Sequence, residues 1–292
     1  MNKPRLLLTG ASGFLGYNFL QQDLSAWDVF AITNQRKYSF VNAQPVNVNI
    51  AYEPLLKELF NYVNPHAVIH LAAISNANFC EEHVGLSNQI NVNATVLLAQ
   101  LCAEKNIPFV FTSTDLVFDG QQGYYTENAL VNPLSIYGKQ KAEAERRVFE
   151  VYPNACVLRM PLMFGNGGLY AQSFMQPFLY KLQQGDSLQL FTDEYRSVVG
   201  GGSAAGGILL ALENNWQGLY HLGGKERLSR YDFGLLLCNA FGINPSLIIP
   251  TLQKEVKMAA PRPPDVSLNS TKAFALGYNP RLVVEELLGV VV

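Results

Sequence analysis

Residues 5–16 read Arg5-Leu6-Leu7-Leu8-Thr9-Gly10-Ala11-Ser12-Gly13-Phe14-Leu15-Gly16, an apolar run that breaks on glycines and resumes with helical spacing. The run is a buried strand and the residues after Gly13 open a helix. Glycines at 10, 13 and 16 permit a tight turn and close approach of the backbone to a ligand. The helix N-terminus beyond them favours negative charge. A strand, a glycine turn and a helix in that order predict a dinucleotide crevice, with Gly10, Ser12, Gly13, Phe14, Leu15 and Gly16 around the pyrophosphate.

Outward from this stretch the pattern repeats. Strands are expected at Val29–Thr33, Val46–Val48, Ala67–Leu71, Phe109–Ser113 and Ala155–Arg159. Helices are expected at Tyr52–Asn61, Leu86–Glu104 and Tyr137–Val151. In Leu86–Glu104 the apolar positions Ile90, Ala94, Leu97, Leu98 and Leu101 keep helical spacing. Buried strands alternating with helices predict an α/β fold, a doubly wound, Rossmann-like parallel sheet covered on both faces. The regularity fades after residue 165. Helices at Ser173–Gln184, Ala204–Leu212 and Ser229–Phe241, the last capped by Ser229, predict a smaller mixed C-terminal lobe. Residues 1–165 are expected to hold the cofactor and 166–292 to form an interleaved substrate lobe.

A hydrophobic content of 49% against 15% charged residues fits a soluble globular chain of 292 residues. A net charge of −2 offers no basic footprint for nucleic acid. No apolar stretch approaches the length of a membrane span, and the chain runs straight into a strand without a signal-peptide pattern. Cys80, Cys102, Cys156 and Cys238 have no metal-finger or redox spacing. They are expected as buried reduced thiols, in a cytoplasmic protein. His66 and His70 flank a strand without a third ligand nearby, so no metal is expected.

Tyr137 and Lys141 lie four apart in Tyr137-Gly138-Lys139-Gln140-Lys141 and share a helix face. A free tyrosine titrates near pH ~10, so acid–base use near neutrality needs help worth roughly 4 kcal/mol. An ammonium beside the phenol is expected to supply it. After the second strand comes Thr33-Asn34-Gln35-Arg36-Lys37, with no acid to accept from a ribose 2′-OH. Asn34 and Arg36 instead suit a 2′-phosphate, which favours NADP (as NADPH) over NAD.

Taken with Thr112-Ser113-Thr114-Asp115-Leu116-Val117-Phe118-Asp119-Gly120, these motifs resemble the extended short-chain dehydrogenase/reductases, and among them the dTDP-4-dehydrorhamnose reductase branch. His70-Leu71-Ala72-Ala73, Asn91-Val92-Asn93-Ala94, Val157-Leu158-Arg159 with Gly165, and Arg262-Pro263-Pro264-Asp265 extend the likeness almost to the C-terminus. The resemblance implies Tyr137 as proton donor, Lys141 as its electrostatic partner on the nicotinamide ribose, and Thr114 as hydrogen-bond donor to the substrate carbonyl. It places Asn49, Leu71, Ala72, Ala73 and Asn91 with the cofactor. On the substrate side it places position 74 (Ile74, followed by Ser75), Asp115, Met160, Arg196 and Arg262. The planar fork of Arg262 suits a diphosphate.

The chain also departs from the pattern. Leu116 stands where 4,6-dehydratases of this superfamily carry Glu, and Asn49 where many relatives carry Asp. Met160 stands where the rhamnose reductases carry Trp. Arg159-Met160-Pro161 resembles instead the regulatory β subunit of methionine adenosyltransferase. The expected function is NADPH-dependent reduction of a 4-keto sugar nucleotide. The alternatives are a non-catalytic NADP-binding regulatory subunit and a sugar-nucleotide epimerase. The helix carrying Tyr137 is a candidate surface for a homodimer.

Overall fold

Seven parallel strands share one sheet in the computed structural model, which describes residues 3–34 and 38–290. They are β1 (Arg5–Thr9), β2 (Asp28–Thr33), β3 (Gln44–Asn47), β4 (Ala67–His70), β5 (Phe109–Thr114), β6 (Cys156–Met160) and β7 (Gly218–His221). Their order is β7-β6-β5-β4-β1-β2-β3. The winding reverses between β1 and β4, where Leu8 pairs with Ile69 and Thr9 with His70. Such a reversal opens a crevice beyond the carboxyl ends of the two strands.

The flanking helices are α1 (Phe14–Leu20), α2 (Glu53–Val63), α3 (Thr95–Lys105), α4 (Ile136–Val151) and α5 (Gly201–Glu213), while α6 (Arg230–Phe241) belongs to a smaller lobe. Alternation along β1 explains the two layers. Leu6 and Leu8 pack with Phe19 of α1 and Ala204, Ile208 and Leu212 of α5. Leu7 faces the other layer, with Phe60 of α2, Leu98 of α3 and Val148 of α4. Both faces of the strand are therefore dry, as its unbroken apolar run requires.

Beyond β6 a smaller lobe packs Phe164, Leu190, Phe233 and Leu237 around α6 and a two-stranded pair of Leu188–Phe191 with Ile248–Thr251. Helix α6 opens with a capping box. Ser229 Oγ accepts from the Asp232 N–H, and the Asp232 carboxylate accepts from the Ser229 N–H. No helix among the described residues is long and apolar enough to cross a membrane. All four cysteines are free and buried.

Two expectations need correction. The third strand lies at Gln44–Asn47 rather than Val46–Val48. The single helix expected over 86–104 is three pieces: Val84–Asn88, a π-helical turn at Gln89–Ala94, and α3. The π turn places Asn91 where its amide can bond outside its own helix, as described below.

His66 and His70 serve the two ends of β4. His70 is fully buried, its Nδ1 2.6 Å from Thr9 Oγ1 and its Nε2 2.9 Å from Thr95 Oγ1. Burial, then Lys141, lowers its pKa to about 3, so it is neutral. His66 Nδ1 accepts the Arg5 N–H.

Candidate active site

The glycine turn leaves β1 into the crevice. Gly10 has φ +72°, and a Cβ there would lie 2.6 Å from the Ala72 nitrogen, so the turns after β1 and β4 touch through bare backbone. A Cβ on Gly16 would collide with the Gly10 carbonyl oxygen, which ties α1 against the same turn. Helix α1 takes no side-chain cap at Gly13. No side chain from that cap position satisfies its first-turn N–H groups.

A cleft of about 410 Å³ opens here. Gly10, Ser12, Gly13, Phe14, Leu15 and Gly16 line it from the turn, and Leu71, Ala72 and Ala73 from the end of β4. Asn34 and Asn49 line it beyond β2 and β3, and Tyr137 and Lys141 from α4. Arg36, with Gln35 and Lys37, lies outside the described residues. Narrow glycine turns and an uncapped helix start fit a dinucleotide diphosphate.

Asn91 does not reach this cleft. It is fully buried. Its Oδ1 accepts from the Ile74 N–H at 2.8 Å, and its Nδ2 donates to the Ile74 carbonyl at 3.0 Å and to Gln140 Oε1 at 2.9 Å. It fixes the turn after β4 against α4, and the expected cofactor contact is replaced by a positioning role. Ile74, held through its backbone, and Ser75 beside it both line the cleft.

A second cleft of about 470 Å³ adjoins the first. Thr114, Asp115, Leu116, Met160, Arg196 and Arg262 line it, together with Glu194 and Arg230. Phe14, Ser75, Ser113, Tyr137, Met160 and Met163 belong to both clefts. The buried hydroxyl of Ser113 at this junction has no protein partner.

Tyr137 and Lys141 are both buried, at 7% and 2% exposure. The ammonium is not directed at the phenol, contrary to expectation. Lys141 Nζ donates to the Thr112 carbonyl at 2.7 Å and lies 4.1 Å from the centre of the Phe111 ring. Burial lowers its pKa to about 7, with Glu145 pulling the other way. The phenol is pushed well above its usual value, by burial first, then by Asp115 and Cys80, with the Thr114 hydroxyl pulling the other way. At neutral pH Tyr137 is therefore a protonated acid. Thr114 Oγ1 accepts from the Leu116 N–H and donates to Asp115 Oδ1, both at 3.2 Å.

Asp115 is buried and raised by burial, partly offset by Arg196, whose Nη1 donates to Asp115 Oδ2 at 2.9 Å. Arg196 is thus already paired. Glu194, 1% exposed, lies 3.5 Å from Arg196, 3.4 Å from Arg230 and 3.8 Å from Arg262. Burial alone would raise its carboxyl, yet the three guanidiniums hold it below the ordinary value. The sequence pattern did not single out Glu194 and Arg230. Glu194 comes from the turn after the Leu188–Phe191 strand and Arg230 from the first turn of α6, with no local spacing to announce them.

Residues 4–288 match the RmlD substrate binding domain family. The chain belongs to that family. The RmlD-family chain is 28% identical to the methionine adenosyltransferase 2 subunit beta of Danio rerio, over 94% of its length and 85% of that protein. It is 30% identical to a Haloferax volcanii protein named probable low-salt glycan biosynthesis reductase Agl14, over 74% of its length and 73% of the other. Its fold is similar to the dTDP-4-dehydrorhamnose reductase of Bacillus anthracis in complex with NADP, with TM-score 0.86, 21% identity and 98% of each chain covered.

Proposed function

We propose that this chain reduces the keto group of a 4-keto sugar nucleotide, with NADPH in the first cleft and the sugar in the second. The observation that carries the reading is that the two clefts meet at Tyr137. NADPH, when bound, supplies the hydride. Gly10 to Gly16, Asn34 and Arg36 would hold it. Residues up to 165 provide most of that cleft, and the later lobe adds the arginine side of the other.

Tyr137 would deliver the proton to the carbonyl oxygen, since its environment keeps the phenol protonated. Thr114 has one hydroxyl proton, turned to Asp115. It would swing that proton to the carbonyl as negative charge develops there. Lys141, titrating near neutrality, would add charge as the phenolate forms. Leu116 in the second cleft offers no acid–base group for dehydration.

The test is NADPH oxidation with dTDP-, UDP- and GDP-linked 4-keto sugars. Turnover is expected with at least one, and Tyr137→Phe should lower it by about 10²- to 10⁴-fold. Undiminished turnover in that variant would remove the assigned role.

A second reading has its own support: the likeness to methionine adenosyltransferase 2 subunit beta spans 94% of the chain. In that case the protein binds NADP and acts by assembling with a partner. Affinity capture that recovers no methionine adenosyltransferase sinks it. An epimerase would instead retain tightly bound oxidised cofactor on purification.

A further inference from the structure

The second cleft contains more positive charge than its own carboxylates settle. Arg196, Arg230 and Arg262 face Asp115 and Glu194, three cations against two anions. Asp115 and Arg196 make one close pair at 2.9 Å, with both side chains under a tenth exposed. Glu194 is then shared by all three guanidiniums at 3.4 to 3.8 Å, a looser contact for each. Arg230 Nη1 and Glu194 Oε2 have no hydrogen-bond partner, and nor does Arg196 Nε, although Arg196 Nη1 is held by Asp115. Leaving a buried charged donor unpaired costs more than its net bond would return.

Of the three arginines, Arg230 and Arg262 retain accessible side-chain surface, 13% and 36%, against 7% for Arg196. Arg230 stacks on Phe174, its guanidinium carbon 4.5 Å from the ring centre, so one face of the fork is fixed. None of the three lines the first cleft, so the charge belongs to the side away from the cofactor.

We propose that Arg230 is a specificity-determining residue of the second cleft, gripping the diphosphate of a nucleotide-linked substrate together with Arg262 while Arg196 stays with Asp115. This rests on the reading of that cleft as a sugar-nucleotide site. Glu194 acts as placeholder. It holds both guanidiniums near one point until phosphate oxygens replace it as their partner. Each fork can then meet one phosphate bidentately. Under-compensation is visible in Arg230 itself, whose pKa falls to about 10 through burial, with Arg196 and Arg262 adding repulsion and Glu194 opposing.

Calorimetric titration of the full chain with dTDP, UDP and GDP tests this. At least one is expected to bind, and Arg230→Gln should weaken it about 10- to 100-fold, the loss of one charged hydrogen-bonding partner. Arg230→Lys should recover part of the loss, and NADPH affinity should not change. Three results overturn the proposal. One is wild-type affinity in Arg230→Gln, and another is parallel loss of NADPH binding, which marks a structural role. The third is equal binding of the nucleoside or of inorganic pyrophosphate, which removes the nucleotide-linked diphosphate as the ligand. The reductase reading is separable. Diphosphate binding that depends on Arg230 without NADPH oxidation would leave this assignment and remove the reductase. Keto-sugar turnover with unchanged KM in Arg230→Gln would do the reverse.

Discussion

Lys141 is 2% exposed, and its ammonium meets a carbonyl and a ring. Its pKa falls from 10.5 to about 7, chiefly through burial. The sign follows from linkage. Between pH 7 and 10.5 the unfolded chain keeps a proton that the folded chain has released, so folding stability rises with pH across that window. The charge-burial cost is complete below pH 7, on the order of 5 kcal/mol at about 1.36 kcal/mol per pH unit. Lys141→Met removes it but leaves the Thr112 carbonyl unpaired, at about 1–3 kcal/mol. The variant should therefore lose turnover yet gain about 2–4 kcal/mol of stability at pH 6, and less at pH 9. Urea denaturation at the two pH values checks this, and a variant destabilised at pH 6 contradicts it. The helical spacing of Tyr137 and Lys141 was legible in sequence. The direction of the ammonium was not, because it depends on the Thr112 carbonyl and the Phe111 ring, on another strand.

The π turn at Gln89–Ala94 shows why element type was easier to read than element detail. Ile90, Ala94, Leu97 and Leu101 announce a helix there by periodicity. Nothing local says that one turn widens, since the reason is a contact across the fold. Asn91 bonds both backbone groups of Ile74 and the Gln140 amide. Such widened turns are frequent at functional sites. Asn91→Ala leaves Ile74 and Gln140 short of three bonds and should cost about 3 kcal/mol. Chemical denaturation reads this directly, and a loss under about 1 kcal/mol would show that water satisfies those groups. Gln140 in turn donates to Ser87 Oγ at 2.8 Å, so the same amide pair fixes both the turn after β4 and the helix bearing Tyr137.

At the scale of the molecule, the sheet is completed by a strand from far along the chain. β7 pairs with β6 from Gly218↔Cys156 to His221↔Arg159, and α5 covers the layer that α1 begins. Expression of residues 1–165 alone would expose Leu158, Phe19 and Leu8 on that layer. It should yield an aggregating or dye-binding product rather than a cooperative unit, whereas the full chain should melt in one transition. A sharp melt of the fragment with retained NADPH binding would contradict this. Strand–helix alternation made the doubly wound core legible, and the glycine turn with Tyr137 and Lys141 made the first cleft legible. The charged side of the second cleft was only half legible. Arg196 and Arg262 stood in motif-like surroundings, while Glu194 and Arg230 join them only once α6 docks. The late arrival of β7 also has a consequence for biogenesis. A ribosome adding roughly 5–20 residues per second needs several seconds to travel from Met160 to His221. Once β6 has emerged and until β7 follows, its outer edge has no neighbour, and Arg159 has its carboxylate partner Glu145 but not its neighbour His221. A guanidinium at an unfinished sheet edge discourages pairing with another nascent chain, so the buried Arg159–Glu145 pair can act as a temporary guard during synthesis and become core only when the last strand arrives.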